Sequence, residues 1–171
     1  MNGIRYEPIG VIRSPFREIR GTPIQPAAAE GIDGTVEVFP EYAGGLADLE
    51  GFSHVILIYD FHLVRGPANA GGPYPRPPLT VRPFMDDRSH GVFATRAPRR
   101  PNPIGISVVR LLGIDGNVLR VRDIDIVNGT PLLDLKPYVP DFDVRDADRI
   151  GWLEGNVRRL PTARDDGRFE G

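Results

Sequence analysis

Glycine and proline interrupt this chain so often that a long helix has no room in it. The sequence holds 20 Gly and 18 Pro among its 171 residues, roughly twice their average share. Both residues weaken the interior of a helix, whereas both suit the turns between short strands. The high Gly and Pro content therefore predicts an all-β fold, a small single-domain β-barrel of about seven short strands with little helix.

The predicted strands are apolar segments that alternate with polar residues or run between turn residues. The clearest pair is a hairpin over 104–126, because Asp115-Gly116 suits a primed two-residue turn. The run 151–160 is the best helix candidate, although Gly155 near its middle weakens it. We expect a single helical turn at 45–52, a loop at 66–78, and further strands at 6–16, 34–39, 53–62, 79–84 and 131–140.

The alternation in the second hairpin strand raises a question of phase. Leu119 and Val121 share one face, which the pattern turns inward, and strict continuation would place Asp123 and Asp125 on that same face. Either a bulge near Arg122 resets the phase, or the mouth of the barrel carries two carboxylates.

Neither a repeat nor a linker divides the chain. We therefore expect one domain over 1–171, in which a core at 6–140 carries the motifs and a tail follows at 141–171. No apolar run is long enough to cross a bilayer, and the first residues do not resemble a signal peptide. The sequence contains no Cys, which excludes disulfides and thiolate metal sites. We expect a cytoplasmic protein.

Three histidines raise the question of a metal site. His54 and His62 would lie on one face of a strand, but eight residues place them roughly 26 Å apart, too far to share an ion. His90 stands alone before Gly91. We therefore predict that no metal is bound. Nucleotide fingerprints of the GxGxxG or GxxxxGK[ST] type are also missing from the sequence.

The segment "GVFATRAPRRPNPIG" at 91–105 concentrates positive charge on a stiff loop. Proline at 98, 101 and 103 fixes the backbone, and arginines held in this way lose less entropy when they bind an anion. Asn102-Pro103 presents a rigid amide, as the Asn-Pro or Asp-Pro turns of enzymes that methylate adenine N6 do. The other interpretation is an irregular, basic edge of the sheet.

The segment "DIVNGTPLLDLKPYVP" at 125–140 is a second dense group of polar residues. Asp125 and Asn128 carry oxygens that suit a ribose or an amino group. The simpler interpretation is an ordinary turn at Asn128-Gly129.

Four segments, "IGVIRSPF", "GFSHVILIYDFH", "GVFATRAPRRPNPIGISVVRL" and "DIVNGTPLLDLKPYVP", together resemble the TsaA-like family, whose characterised members are TrmO-type tRNA methyltransferases. They span three quarters of the chain in the family's order. The resemblance implies a small β-barrel, a homodimer, and S-adenosylmethionine bound near the subunit interface. It implies methylation at N6 of threonylcarbamoyladenosine at position 37 of tRNA, in the anticodon loop.

The resemblance also implies which residues form the site. The cofactor-binding residues would be Gln25, Pro26, Phe61, His62, Arg96, Asp125, Ile126, Val127 and Asn128. We hypothesise that Asn102 and Tyr138 line the acceptor side as catalytic residues, and that phosphates or the threonyl carboxylate contact Arg99, Arg100 and Lys136. Arg100 departs from the family pattern, because many relatives carry an aromatic residue there. Two alternatives are a sensor that binds S-adenosylmethionine without methylating anything, and a small-molecule methyltransferase.

Overall fold

Six antiparallel strands close into a barrel. The structure is a computed structural model that describes residues 4–64 and 79–170, so the predicted loop at 66–78 lies outside the described residues. The bounds of the six strands are β1 Gly10–Arg13, β2 Asp33–Val38, β3 His54–Asp60, β6 Ile104–Asp115, β7 Val118–Arg122 and β8 Thr130–Pro137. Around the barrel these strands follow the order β1, β2, β7, β6, β3, β8. The predicted all-β barrel is therefore confirmed.

Two further strands form a small separate sheet beside the barrel. These are β4, Thr80–Val81, and β5, His90–Gly91, which pair antiparallel. The described residues thus form eight strands, of which six build the barrel and two build this small sheet. The predicted strand at 79–84 shrinks to two residues, because Pro83 cannot continue a ladder of hydrogen bonds.

The barrel core follows the two-residue alternation of its strands. In β3, residues Val55, Leu57 and Tyr59 point inward and are 0–5% exposed, while their neighbours are only half-buried. In β6, the side chains of Ser107 and Val109 both point inward, and the buried Ser107 hydroxyl is two residues from the apolar Val109. This inward hydroxyl marks the end of the barrel at which the site lies.

Helices are short wherever the structure describes the chain. One α-helical turn, α1, spans Pro140–Asp143, and the remaining helical pieces are 3-10 turns. The helix predicted at 151–160 is wrong: Gly151–Leu153 and Val157–Thr162 form two 3-10 turns, and Gly155 between them has a left-handed φ of 76°. No described helix combines the length and the apolar character needed to cross a membrane.

The phase of the second hairpin strand is reset at its end. Strand β7 stops at Arg122, and Asp123 takes a left-handed φ of 69° while its carboxylate accepts a hydrogen bond of 2.8 Å from the Gly31 N–H. Ile124 consequently returns to the core with 0% exposure. Of the two carboxylates in question, only Asp125 enters the barrel mouth, where it is 8% exposed.

The tail returns to the same end of the barrel. The Gly21 N–H donates to the Asp165 carbonyl at 2.7 Å, and the Asp165 N–H donates to the Thr22 carbonyl at 2.9 Å. Further along, Phe169 is 5% exposed and packs edge-on against Phe84 in a small second apolar cluster. The tail therefore forms part of the folded structure around the barrel mouth.

Candidate functional site

A cavity of about 860 Å³ opens at the barrel mouth where β3 ends and β6 begins. Its volume lies in the upper part of the range of roughly 300–1,000 Å³ that small-molecule sites occupy. Its walls come from the segments 19–25, 59–64, 83–85, 93–106 and 125–130 together with residues of the tail. Segments far apart in the sequence thus converge on one open cavity.

A chain of buried hydrogen bonds leads from the barrel core into this cavity. The Ser107 hydroxyl donates to Asp125 Oδ1 at 2.7 Å, and the Tyr59 hydroxyl lies 3.1 Å from the Ser107 oxygen. Serine has a single hydroxyl hydrogen, so Tyr59 donates to Ser107 whenever Ser107 donates to Asp125. All three side chains are at least 92% buried, and this fixed order of donors orients the Asp125 carboxyl group.

Burial changes the proton affinity of both titratable groups in this hydrogen-bonded chain, Asp125 and Tyr59. Desolvation raises the pKa of Asp125 to about 7, and the hydrogen bond from Ser107 and the charge of Arg96 oppose that rise only in part. Burial also raises the pKa of Tyr59, to which the Asp125 charge adds, so Tyr59 remains protonated. The cavity therefore holds a carboxyl group that titrates near neutral pH.

Gly105 makes room for the ring of Tyr59. The two residues are direct partners across the β3–β6 ladder. An ideal Cβ at Gly105 would overlap the Tyr59 ring and approach its Cδ2 to 2.8 Å. A glycine is thus required here by the close approach of an aromatic ring from the neighbouring strand.

The proline-rich loop aims one arginine across the cavity and uses another to brace itself. Arg96 Nη1 donates to Gln25 Oε1 at 2.7 Å. Arg100 Nη1 instead donates to the carbonyls of Thr95 at 3.0 Å and Ala97 at 3.4 Å. Arg100 therefore stabilises the loop that carries Arg96.

The structure brings most of the predicted site residues together. Nine of them line the cavity: Gln25, Phe61, His62, Arg96, Arg100, Asn102, Asp125, Ile126 and Val127. Five do not line it: Pro26, Arg99, Asn128, Lys136 and Tyr138. Their roles remain predictions.

Pro26 and Asn128 lie directly beside cavity residues. Pro26 begins a 3-10 turn that follows Gln25. Asn128 Oδ1 accepts a hydrogen bond of 3.3 Å from the Ser14 N–H, and the Ser14 hydroxyl donates to the Ile126 carbonyl at 2.5 Å. In this chain, Asn128 contributes to a junction that fixes the 125–128 segment to the end of β1.

Tyr138 and Lys136 lie at the opposite end of the barrel. The Tyr138 N–H donates to the His54 carbonyl at 3.1 Å, and the two rings meet edge-on at 6.1 Å. Because β3 runs from His54 to Asp60, this end is roughly 20 Å from the cavity. Lys136 Nζ is 2.7 Å from Asp134 Oδ2. One chain alone does not bring these residues to the site.

Sequence reasoning missed Tyr59, Ser107 and the tail residues of the cavity. Ser107 had a usable signal, since strand alternation puts its hydroxyl on an inward face, where a polar group requires a partner. Trp152, the single tryptophan of the chain, lies in the run 151–160 that the sequence predicts as a helix, and that prediction gives it no role in the site. Its indole N–H donates to the Ala94 carbonyl at 2.7 Å, and its ring stacks on His90 at 4.7 Å.

Metal ligands do not cluster in the part of the chain that the structure describes. No group of three His, Asp or Glu side chains there is arranged to hold an ion. His90 Nε2 lies 2.9 Å from Asp86 Oδ2, which forms a pair and not a site.

The fold and the cavity define a small β-barrel protein with a cavity of small-molecule size at one mouth of the barrel. The chain belongs to the tRNA-methyltransferase O N-terminal domain family, which it matches over residues 11–144. It is 61% identical to a "Probable S-adenosyl-L-methionine-binding protein" of Pyrococcus abyssi, over 97% of this chain and 85% of that protein. The predicted family resemblance is confirmed.

Relatives whose names state an enzyme activity are longer than this chain. The chain is 38% identical to the tRNA (adenine(37)-N6)-methyltransferase of Escherichia coli, over 82% of this chain and 60% of that enzyme. The crystal structure of TrmO from Pseudomonas aeruginosa superposes with a TM-score of 0.68 at 39% identity, covering 88% of this chain and 63% of that one. This chain thus spans about three fifths of either protein.

Proposed function

We propose that this protein is a methyltransferase that carries a methyl group from S-adenosylmethionine to N6 of threonylcarbamoyladenosine at position 37 of tRNA. The observation that carries the proposal is the convergence of Gln25, Arg96 and Asp125 on one cavity from three distant segments. Family membership supports it, as does the activity in the name of the Escherichia coli relative.

The residues around the cavity fit the methyl donor. S-adenosylmethionine combines an adenine ring, a ribose diol and an amino-acid end that carries both charges. The Arg96 guanidinium suits the carboxylate of that end, and the Asp125 carboxyl group suits hydroxyl donors. Apolar side chains such as Phe61 and Ile126 offer the ring a dry surface. The cavity therefore contains a partner for each part of the donor.

When bound, S-adenosylmethionine supplies an electrophilic methyl group. The chain has to align the acceptor nitrogen with it and keep water out. Asn102 stands on a pinned backbone, since the Ile104 N–H donates to the Asn102 carbonyl and the Phe61 N–H donates to the Pro103 carbonyl, both at 2.7 Å. Its side-chain oxygen would accept the N–H of the acceptor base and so orient the nitrogen lone pair.

Two of the predicted acceptor-side residues reach the site only in an oligomer. Lys136 and Tyr138 lie at the far end of the barrel from the cavity. A homodimer that sets this end of one chain beside the cavity of the other would supply them. Exposed apolar side chains in the wall of the cavity, Phe93 at 76%, Ile106 at 53% and Ile104 at 42%, support such an interface. A tRNA substrate also implies a cytoplasmic location.

The direct test is methyl transfer to purified tRNA. The protein is incubated with isotopically labelled S-adenosylmethionine and tRNA that carries or lacks the threonylcarbamoyl group, and digested nucleosides are weighed by mass spectrometry. We expect label on the modified adenosine only. Arg96→Ala should weaken donor binding by roughly tenfold or more, because a charge-assisted contact is lost. Arg120→Ala, on the outer face of β7, is the matched control and should bind normally.

The dimer has its own test. Light scattering should give twice the chain mass, and a mixture of Arg96→Ala and Tyr138→Phe chains should recover activity that neither variant shows alone. Recovery requires sites built from two chains. A monomer with full activity would refute the dimer without affecting the methyl transfer.

A second candidate is a protein that binds S-adenosylmethionine without transferring its methyl group. The name of the Pyrococcus abyssi relative favours it, since that name states binding alone. Tight donor binding by calorimetry without methyl transfer to any tRNA would select this candidate. Methylation of a small molecule that excess tRNA does not inhibit would select the third alternative.

A further inference from the structure

The outer wall of the cavity comes from the tail. The family match ends at residue 144, yet six later residues line the cavity: Trp152, Leu153, Val157, Leu160, Asp165 and Phe169. The donor-binding residues inferred from the family all lie before this segment. The tail is therefore a part of the site for which the family match gives no role.

The tail contacts both segments that carry the proposed donor ligands. Trp152 donates to the carbonyl of Ala94, two residues before Arg96. Asp165 forms a reciprocal pair of backbone hydrogen bonds with Gly21 and Thr22 on the segment that leads to Gln25. The 3-10 turn Val157–Thr162 also packs against Pro26–Ala28. The tail thus bridges the segments 19–28 and 92–97 from outside.

Between themselves these two segments share one side-chain hydrogen bond in the described structure, from Arg96 to Gln25. That bond is solvent-exposed, and such a contact contributes little on its own. A fixed spacing between the Arg96 guanidinium and the Gln25 amide therefore requires a scaffold elsewhere. The backbone contacts of the tail supply one.

Trp152 supplies the side-chain contacts that join this scaffold to the segment 90–94. Its indole N–H is bonded to Ala94, one ring face stacks on His90 with the planes 22° apart, and His90 is held in turn by Asp86. The ring cannot shift without breaking these contacts. The position of the Trp152 ring therefore fixes the position of the loop that carries Arg96.

We propose that the tail is a clamp that sets the width of the donor site, with Trp152 as its positioning residue. The ligand is S-adenosylmethionine, so the clamp rests on the proposed function. It holds the loop of Arg96 at a fixed distance from the segment of Gln25, which places both side chains for the charged end of the donor. Residues beyond the family match thereby determine donor affinity.

Calorimetric titration with S-adenosylmethionine tests the clamp on the whole chain. Trp152→Phe keeps a ring on His90 but loses the N–H bond, and should weaken donor binding roughly fivefold. Trp152→Ala loses both contacts and should weaken binding roughly thirtyfold. Arg158→Ala, at an exposed tail side chain that does not line the cavity, is the control and should bind like the unaltered chain.

A positioning role makes a sharper prediction in combination with Arg96. Because Trp152 acts through Arg96, Trp152→Ala in an Arg96→Ala background should weaken binding by less than about threefold. Fully additive losses would mean that Trp152 does not act through Arg96, and would overturn the clamp. If Trp152→Ala does not fold, Trp152→Phe decides by the same comparison.

Trp152 also provides a spectroscopic signal, since it is the single tryptophan. Saturating donor should shift its emission, and the midpoint should agree with the calorimetric constant. A donor that binds by calorimetry, with no change in emission and equal affinity for all variants, would refute the clamp alone. An unaltered chain that does not bind the donor would refute both the proposed function and the clamp.

Discussion

Replacing Asp125 by Asn tests whether burial raises the pKa of the carboxyl group in the barrel mouth. The amide has nearly the same shape, and its oxygen still accepts the hydrogen bond from Ser107. The substitution removes the ability to ionise. We therefore expect it to change the pH dependence of stability more than stability itself.

The raised pKa of Asp125 determines the direction and the size of the change in unfolding free energy with pH. Burial lifts the pKa of Asp125 from 3.8 to about 7. A carboxyl group with a raised folded-state pKa contributes its stability below pH 4 and loses it as pH rises to 7, because the unfolded chain ionises first. Each tenfold change in proton affinity is worth about 1.4 kcal/mol. The unaltered protein should lose about 3 kcal/mol from this group between pH 5 and pH 8, and Asp125→Asn should lose none of it.

Urea unfolding at pH 5 and pH 8 measures this difference, and constant effects of the amide cancel between the two. The control is Asp33→Asn. The hydrogen bond from Arg122 lowers the pKa of Asp33 below 3.8, so this group is ionised in both states throughout the window and its replacement should show no pH dependence. If Asp125→Asn differs from the unaltered protein by the same free energy at both pH values, the assigned burial cost is wrong.

Two further substitutions probe the framework of the site. Gly105→Ala should cost about 2–4 kcal/mol of unfolding free energy, because a methyl group there displaces the Tyr59 ring; urea titration measures it, and Gly44→Ala, where an added Cβ meets nothing within 4 Å, should be neutral. Ser14→Ala should cost about 1 kcal/mol of unfolding free energy and weaken binding of S-adenosylmethionine in calorimetry, because the hydrogen bond that holds the Ile126 carbonyl is lost. Unchanged affinity for S-adenosylmethionine would mean that this junction does not position the 125–128 segment.

The barrel was predictable because each of its features has a local cause. Frequent Gly and Pro exclude long helices, and alternation marks strands. The hairpin was placed correctly, although its two turn residues are Gly116 and Asn117, one position beyond the predicted Asp115-Gly116, because Asp115 pairs with Val118. Segments such as 34–39 and 53–62 became β2 and β3 with ends shifted by one or two residues. The proline-rich loop was recognisable for a similar reason, since stiffness and charge are both properties of nearby residues.

The arrangement of the site was less predictable because it depends on contacts between distant segments. The tail shows no strand alternation, and its apolar residues have meaning only against the segments 19–28 and 92–97 that they cover. The run 151–160 has an apolar content that suits a helix, but Gly155 breaks it into two turns that pack on separate partners. Gly155 is a local signal against the helix, but nothing local shows which segments the two turns contact.

The end of β7 shows how a small backbone feature creates the chemistry of the site. A regular strand through residue 126 would bury both Asp123 and Asp125 and expose Ile124. The left-handed turn at Asp123 uses one carboxylate to cap the Gly31 N–H, returns Ile124 to the core and leaves Asp125 facing the cavity. Ser107, two residues along β6 from Gly105, then supplies the hydrogen bond that this buried carboxyl group requires. Each of the two alternatives that the sequence left open is therefore partly realised, because the break in phase is what selects a single carboxylate for the barrel mouth.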